Sequence, residues 1–155
     1  MVNTGEESER LVAACHYAPR GNRSFGPVRA AVYAGSEYMA KANDTIFSLA
    51  MIETRQALDN IDDIVSVKGL TGLYLGLSDL SISLGYPPAQ DSSHGEILEA
   101  VQLVLRKCAE HKLIPGIACP SGEVARKRMQ EGFRLVTAGP QMAWLTNAAR
   151  QALAA

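Results

Sequence analysis

The sequence has few of the residues from which disulfides and zinc sites are built. It holds three cysteines, an odd number, and no two of them are spaced as Cys-x-x-Cys. Its three histidines are scattered and form neither an HxxH nor an HExxH pattern. This composition argues against a disulfide framework and a zinc site, and it predicts a reduced, cytoplasmic protein.

Long runs of one kind of residue are missing as well. The formal net charge is −1 with 20% charged residues, and no basic stripe predicts nucleic-acid binding. No apolar run is long enough to span a bilayer, and the acidic opening 1-MVNTGEESER-10 has the features of neither a signal peptide nor a transit peptide. With 155 residues, 47% of them apolar, the chain is expected to form one globular domain over residues 1–155.

The glycine-rich nucleotide motifs are also lacking, since no GxGxxG follows a predicted strand and no P-loop is present. The chain instead alternates short apolar runs with amphipathic segments. Strands are predicted at 46–52, 73–77, 113–118 and 133–139. Helices are predicted at about 5–17, in part of 31–43, after the cap Thr54 with apolar positions from 57 to 65, at 97–108, from about 121, and at 145–154. This alternation predicts a parallel α/β sheet, either doubly wound or part of a (β/α)8 barrel.

Polar side chains follow three of these strands. Glu53 ends the first strand, Ser78 and Asp79 follow the second, and Cys119 and Ser121 follow the third. Because adjacent parallel strands lie about 4.8 Å apart, Glu53 and Asp79 are expected to open onto one small volume. Two interpretations stay open: the carboxylates share a hard divalent cation such as Mg²⁺ or Mn²⁺, or each is the cap of the helix that follows it.

Several further stretches carry motifs in a fixed order. They are 23-RSFGPVRAAVY-33, 38-YMAKAN-43, 51-MIET-54, 57-ALDN-60 and 76-GLSDLSISLGYP-87, preceded by the opening VNTGEESERLVAACHYAPRG. Together they resemble the HpcH/HpaI aldolase family, whose members are class II, metal-dependent aldolases of 2-oxo acids. The resemblance implies the C-terminal half of a (β/α)8 TIM barrel of the phosphoenolpyruvate/pyruvate-binding type.

The resemblance also implies roles for individual residues. Glu53 and Asp79 would hold Mg²⁺ or Mn²⁺, with Co²⁺ as a third option, while Gly76, Ser78 and Asp79 would contact the substrate. The metal would chelate pyruvate or another 2-oxo acid and act as a Lewis acid on its enolate, in a reaction that makes or breaks a C–C bond to an aldehyde. Family members are oligomers, so a homo-oligomer is implied.

Three features depart from the family pattern. Met51 stands where the family often has a substrate-contacting Gln, and 76-GLSD-79 lacks the family's proline. A whole barrel needs about 250 residues, so the catalytic base His and the Arg of the family are expected to lie outside this chain. The chain's own histidines take other places in this interpretation: His16 at the surface, His94 as a helix cap and His111 near a helix C-terminus.

Three functions therefore remain open. The first is a metal-dependent aldolase, the second a non-catalytic subunit or remnant that binds metal and 2-oxo acid, and the third an enzyme of the citrate lyase β-subunit or malyl-CoA lyase type. The motif 23-RSFGP-27 favours the aldolase branch. Trp144, beside the last predicted helix, is expected to be exposed and predicts self-association.

Overall fold

A computed structural model describes residues 1–154 as an α/β fold with one sheet of four parallel strands. The strands are β1 (Leu49–Ile52), β2 (Gly72–Leu75), β3 (Ile114–Ile117) and β4 (Leu135–Val136), and they lie side by side in chain order. The helices within these residues are α1 (Gly5–Cys15), α2 (Val28–Ala34), α3 (Tyr38–Thr45), α4 (Arg55–Asp59), α5 (Ile61–Val65), α6 (Leu77–Ser83), α7 (Gly95–His111), α8 (Gly122–Glu131) and α9 (Gln141–Leu153). The predicted parallel α/β sheet is confirmed.

Three helices begin where the sequence supplies a hydroxyl group. The side chains of Thr4, Thr54 and Ser121 each accept a hydrogen bond from the backbone N–H three residues further along the chain. Each bond satisfies one of the N–H groups that a helix start leaves unpaired. These caps fix the starts of α1, α4 and α8 at the positions that the sequence predicts.

One face of the sheet packs against helices. Helix α7 lies against β2 and β3, and α8 lies against β4. The strand residues on this face are fully or nearly fully buried, as are their partners on α5 and α7: Ala50, Ile52, Leu73, Leu75, Ile117, Ile64, Val101 and Val104. Each fully buried aliphatic side chain of this size stabilises the fold by about 1.5–3 kcal/mol, so this layer is the core.

The opposite face of the sheet carries Leu49, Met51, Tyr74 and Leu135 and is partly exposed. Large side chains lie over glycines here: a Cβ at Gly116 would be 2.7 Å from Tyr74 Cδ2. A doubly wound sheet reverses its strand order, whereas a barrel adds strands in sequence and fills its interior with side chains. The sequential order of β1 to β4 is therefore that of a barrel.

Some elements differ from their predicted bounds. The helix expected at 57–65 is divided into α4 and α5 at Asn60, whose side-chain amide donates to the carbonyl of Asn3 at 2.8 Å. Helix α2 begins at Val28, ahead of the partly helical segment predicted at 31–43, and α9 begins at Gln141 rather than near 145. The strands are shorter than their apolar runs, so that Ser78 lies in α6 and not at a strand end.

One expectation for the histidines was wrong. His16 is buried, not at the surface, and its Nδ1 lies 2.8 Å from the carbonyl oxygen of Val12. His94 is the N-cap residue of α7, as expected, but its side chain makes no capping hydrogen bond and its ring stacks on Tyr86 with the centroids 4.3 Å apart. His111 does lie in the last turn of α7, as expected. Among the helices of residues 1–154, none is both long and apolar enough to cross a bilayer.

Candidate active site at the carboxyl ends of the strands

A cavity of about 310 Å³ lies at the carboxyl ends of β1 and β2. Glu53, which follows β1, lines it together with Gly76, Ser78 and Asp79 from the segment after β2. The other residues lining it are Met51, Tyr74, Leu77, Gln90 and Ala118. The structure thus brings the four predicted site residues to one cavity. Cys119 and Ser121 do not line it, since Cys119 is buried and Ser121 caps α8.

Glu53 is largely buried, with 9% of the residue exposed. The amino group of Met1 lies 3.8 Å from its Oε1, too far for a hydrogen bond. An ionised carboxylate is costly to bury unless it is paired and hydrogen-bonded or coordinates a metal. Glu53 therefore brings a carboxylate to the wall of the cavity at the end of β1.

Gly76 provides the room for that carboxylate. A Cβ at position 76 would lie 2.7 Å from Glu53 Oε2 and 3.3 Å from Glu53 Cβ. The backbone N–H of Gly76 already donates to the carbonyl of Ile52 at 3.0 Å. Gly76 thus shapes the wall of the cavity. Its N–H is used in the hydrogen bond that connects the segment after β2 to the end of β1.

Asp79 is exposed and lies in the first turn of α6. A negative charge is favourable near the start of a helix. The alternative that the two carboxylates serve as caps was wrong for both residues. Helix α4 is capped by Thr54 and not by Glu53, and α6 has Gly76 at its N-cap position and no side-chain cap.

The donor atoms fit a hard cation. Within residues 1–154 no group of three or more His, Cys, Asp and Glu side chains is placed to hold a metal ion, so the protein would offer two carboxylates here. Mg²⁺ commonly takes one or two carboxylates and leaves its other positions to water and substrate oxygens. Glu53 and Asp79 match that requirement, whereas zinc would need three or four nitrogen or sulfur ligands.

The rest of the wall contains a hydroxyl, an amide and a thioether. Ser78 is half-buried beside Asp79, and Met51 presents an apolar surface that is 37% exposed. The phenol of Tyr74 lies 3.4 Å from the hydroxyl of Thr137. Within residues 1–154, none of the three histidines lines the cavity. No residue that lines it is therefore assigned as the catalytic base.

A charged cluster lies beside the loop 84–94 that joins α6 to α7. Arg55 donates to Glu96 at 2.7 Å, and the Tyr86 hydroxyl donates to the other carboxylate oxygen at 3.1 Å. The hydrogen bond from Arg55 lowers the pKa of Glu96, and the hydrogen bond to Glu96 raises the pKa of Tyr86. The cluster links the loop to α4, the helix that follows Glu53.

Sequence reasoning missed two residues near the site. Gln90 lies in the loop 84–94, where no periodic pattern marks any single position. Arg128 is 1% exposed and binds Asp91 of that loop, although it stands in the basic run 126-RKR-128, which is typical of a solvated helix face. The one available signal was the isolated acidic residue, Asp91, in a loop otherwise poor in charge.

Comparison with known proteins gives consistent matches over nearly the whole chain. The family model for HpcH/HpaI aldolase/citrate lyase matches residues 1–148. The chain is 47% identical over 154 residues to the hydroxypyruvate/pyruvate aldolase of Rhizorhabdus wittichii, covering 99% of this chain and 61% of that protein. It is 33% identical over 157 residues to the 2-keto-3-deoxy-L-rhamnonate aldolase of Escherichia coli strain K12, covering 99% of this chain and 58% of that protein.

A solved structure also matches nearly the whole of this chain. The crystal structure of an HpcH/HpaI aldolase/citrate lyase family protein from Burkholderia cenocepacia J2315 has a TM-score of 0.85 at 26% identity, covering 99% of this chain and 61% of that one. The chain therefore spans about three fifths of the length of the relatives that it matches.

Proposed function

The chain belongs to the HpcH/HpaI aldolase/citrate lyase family, and on that premise we propose that it carries the metal and substrate site of a class II aldolase. The reaction would make or break a C–C bond beside the carbonyl of a 2-oxo acid such as pyruvate, with an aldehyde as the second substrate. The relatives named above are aldolases, which are carbon–carbon lyases. Residues 1–155 would form one partial barrel domain.

One observation carries the proposal. Glu53, which is 9% exposed, and Asp79 from α6 line the same cavity, and the amino group of Met1 lies 3.8 Å from Glu53 Oε1. Two carboxylates on the wall of one cavity favour the binding of a positive charge there. A divalent cation, Mg²⁺ or Mn²⁺, satisfies both carboxylates at once.

The residues that line the cavity would have separate roles in binding. Glu53 and Asp79 would hold the cation, which when bound supplies Lewis-acid polarisation of the 2-oxo acid's carbonyl. The Ser78 hydroxyl would donate a hydrogen bond to the substrate carboxylate, and Gly76 keeps Glu53 at the wall. Met51 contributes apolar surface against which the carbon chain of the substrate would lie. The base that removes the proton is not assigned within residues 1–154.

Self-association is part of the proposal. Helix α9 has no buried residue, and Met142, Trp144 and Leu145 are 70%, 53% and 64% exposed. Large apolar and aromatic side chains that cluster at a surface are typical of subunit contacts. We expect a homo-oligomer in which α9 contacts a second copy.

The metal site is tested by titrating the purified chain with Mn²⁺, with and without pyruvate, and following free Mn²⁺ by electron paramagnetic resonance. Glu53→Gln and Asp79→Asn keep the shape of each side chain but remove its charge. Each should weaken Mn²⁺ binding by more than about tenfold, because even the loss of an outer partner of a metal ligand costs ~10–100-fold. Pyruvate should tighten Mn²⁺ binding in the parent chain.

A matched control is Glu99→Gln, which removes one carboxylate from an exposed position on α7. It should leave Mn²⁺ binding unchanged. Equal affinity in all four proteins, with each one folded by circular dichroism, would contradict the metal site. Aldol cleavage by the parent chain would exclude the non-catalytic alternative.

A further inference from the structure

The loop 84–94 brings a neutral polar group to the cavity of Glu53 and Asp79. The loop runs from the end of α6 to the start of α7, and its Gln90 lines the cavity together with Ser78. The side chains of Glu53 and Asp79 are acceptors only when ionised, whereas the carboxamide of Gln90 can both donate and accept. Gln90 therefore offers a kind of contact that neither carboxylate offers.

An ion pair between exposed Asp91 and buried Arg128 fastens this loop one residue from Gln90. Asp91 Oδ1 lies 2.8 Å from Nη2 of Arg128, and Arg128 is 1% exposed. The other terminal nitrogen of Arg128 lies 2.7 Å from Glu131 of its own helix α8, which holds the guanidinium in place. Charge-assisted hydrogen bonds of this kind are stronger than neutral ones, so the backbone beside Gln90 is held to α8.

The two ends of the loop are fastened separately. Tyr86 stacks on His94 across the loop, with 14° between the ring planes. The Tyr86 hydroxyl also donates to Glu96, which in turn accepts from Arg55 of α4. The loop is therefore tied to α4 and to α8, the helices that follow β1 and β3, and its position over the carboxyl end of the sheet is set by contacts outside the cavity.

We propose that Gln90 is a specificity-determining residue that hydrogen-bonds a hydroxyl group on the carbon next to the carbonyl of the 2-oxo acid. A hydroxyl has one proton and free lone pairs, which a carboxamide can match with its oxygen and its N–H group. A 2-oxo acid in which that carbon is a methyl group, such as pyruvate, leaves the amide without this partner. The inference rests on the proposed function, because it takes the 2-oxo acid to bind between Glu53 and Asp79.

Asp91 is a positioning residue in this proposal. It makes no contact with the substrate, and it acts by holding the loop against Arg128 so that the Gln90 carboxamide faces the cavity. Loss of the ion pair should leave the carboxylates of Glu53 and Asp79 in place, since both lie on other segments. The expected consequence is a loss of discrimination between substrates with metal binding intact.

The test measures the dissociation constants of hydroxypyruvate and pyruvate for the Mn²⁺-loaded full chain. Gln90→Leu, which keeps the size of the side chain and removes the amide, should weaken hydroxypyruvate binding by about threefold to tenfold, as the loss of one neutral hydrogen bond predicts. Pyruvate binding should change by less than about twofold, and Mn²⁺ binding not at all. Gln130→Leu, at an exposed position on α8, is the control and should leave the dissociation constants of both acids unchanged.

A second pair of variants separates positioning from general stability. Asp91→Ala and Glu131→Ala each remove one partner of the same Arg128, but only Asp91 lies in the loop. We expect Asp91→Ala to reduce the preference for hydroxypyruvate and Glu131→Ala to keep it. Thermal melts of both variants show whether the fraction folded is equal at the temperature of the titration.

The outcomes are distinct. If the parent chain binds Mn²⁺ and both acids, and Gln90→Leu weakens both acids equally or neither of them, the role of Gln90 is overturned and the proposed function stands. If Asp91→Ala and Glu131→Ala behave alike, the positioning role of Asp91 is overturned. If the parent chain binds neither Mn²⁺ nor a 2-oxo acid, the proposed function fails and the role of Gln90 fails with it.

Discussion

The Cα atom of Gly76 faces the carboxylate of Glu53 so closely that a Cβ at position 76 would lie 2.7 Å from Glu53 Oε2. The two residues follow neighbouring parallel strands, and the bond from the Gly76 N–H to the carbonyl of Ile52 fixes their relative height. A glycine is thus required here for space rather than for backbone conformation, because its φ of −106° and ψ of 95° suit any L-residue.

The first prediction follows from that contact. Gly76→Ala should push the Glu53 carboxylate from its place and weaken Mn²⁺ binding by at least about tenfold, since a displaced ligand loses at least what a displaced outer partner loses. The far-ultraviolet circular dichroism spectrum should stay unchanged. Gly95→Ala is the matched control, because a Cβ at Gly95 meets nothing within 4 Å. Unchanged Mn²⁺ affinity in folded Gly76→Ala would contradict the idea that Glu53 is a ligand.

A second prediction concerns the cap next to Glu53. Thr54 Oγ1 accepts from the N–H of Ala57 at 3.0 Å and also donates to Asn3 Oδ1. Thr54→Ala should lower the free energy of unfolding by about 1–2 kcal/mol, the usual loss for a helix cap. Urea unfolding followed by circular dichroism measures it.

The matched variant for this cap is Thr54→Ser, which keeps the hydroxyl and should lie much closer to the parent chain. If Thr54→Ser were as unstable as Thr54→Ala, the loss would come from the methyl group of Thr54 and its packing, and the hydroxyl cap would not be its cause.

The features that the sequence could predict rest on short-range signals. Thr4, Thr54 and Ser121 are caps that act three residues along the chain, so local pattern suffices to place the starts of their helices. The meeting of Glu53 and Asp79 at one cavity could be predicted equally well, because parallel strands bring their carboxyl ends to one edge of the sheet whatever segment joins them. Both expectations needed no knowledge of distant contacts.

The features that escaped prediction depend on partners far away in the chain. The break at Asn60 involves the backbone of Asn3, and the burial of Arg128 depends on Asp91. An arginine beside Arg126 and Lys127 has the composition of an exposed helix face, and no local rule distinguishes the one that folds inward. Gln90 was missed for the same reason, because its position depends on the ion pair between its neighbour Asp91 and Arg128.

A third prediction addresses self-association through α9. Leu145→Glu places a charge among the exposed apolar side chains of that helix and should shift the chain toward the monomer, because an unpaired charge is costly to bury at an interface. Sedimentation velocity over a range of concentrations measures the change. Gln151→Glu adds the same charge at another exposed position of α9 and should keep the assembly of the parent chain. A monomeric mass for the parent chain at all concentrations would contradict the prediction.

The fourth prediction is a loss of stability at high pH that originates at Cys108. This thiol lies in the core on α7, and burial raises its pKa from the ordinary 9.0 to about 11. Because the pKa in the folded chain is above that in the unfolded chain, the contribution of Cys108 to stability is complete below pH 9. As the pH rises from about 9 toward 11, the unfolded chain gains thiolate first, and that contribution is lost.

Comparison with Cys108→Ala isolates this effect from the titration of lysines and tyrosines, which both proteins share. Cys108→Ala should be less stable than the parent chain at pH 8, because it leaves a small cavity in the core. Its free energy of unfolding in urea should then fall less steeply than that of the parent between pH 9 and pH 11. The two curves should converge as the thiolate forms in the unfolded parent chain. Parallel curves over that range would mean that the thiol of Cys108 is solvated in the folded chain, contrary to its burial against β2 and β3.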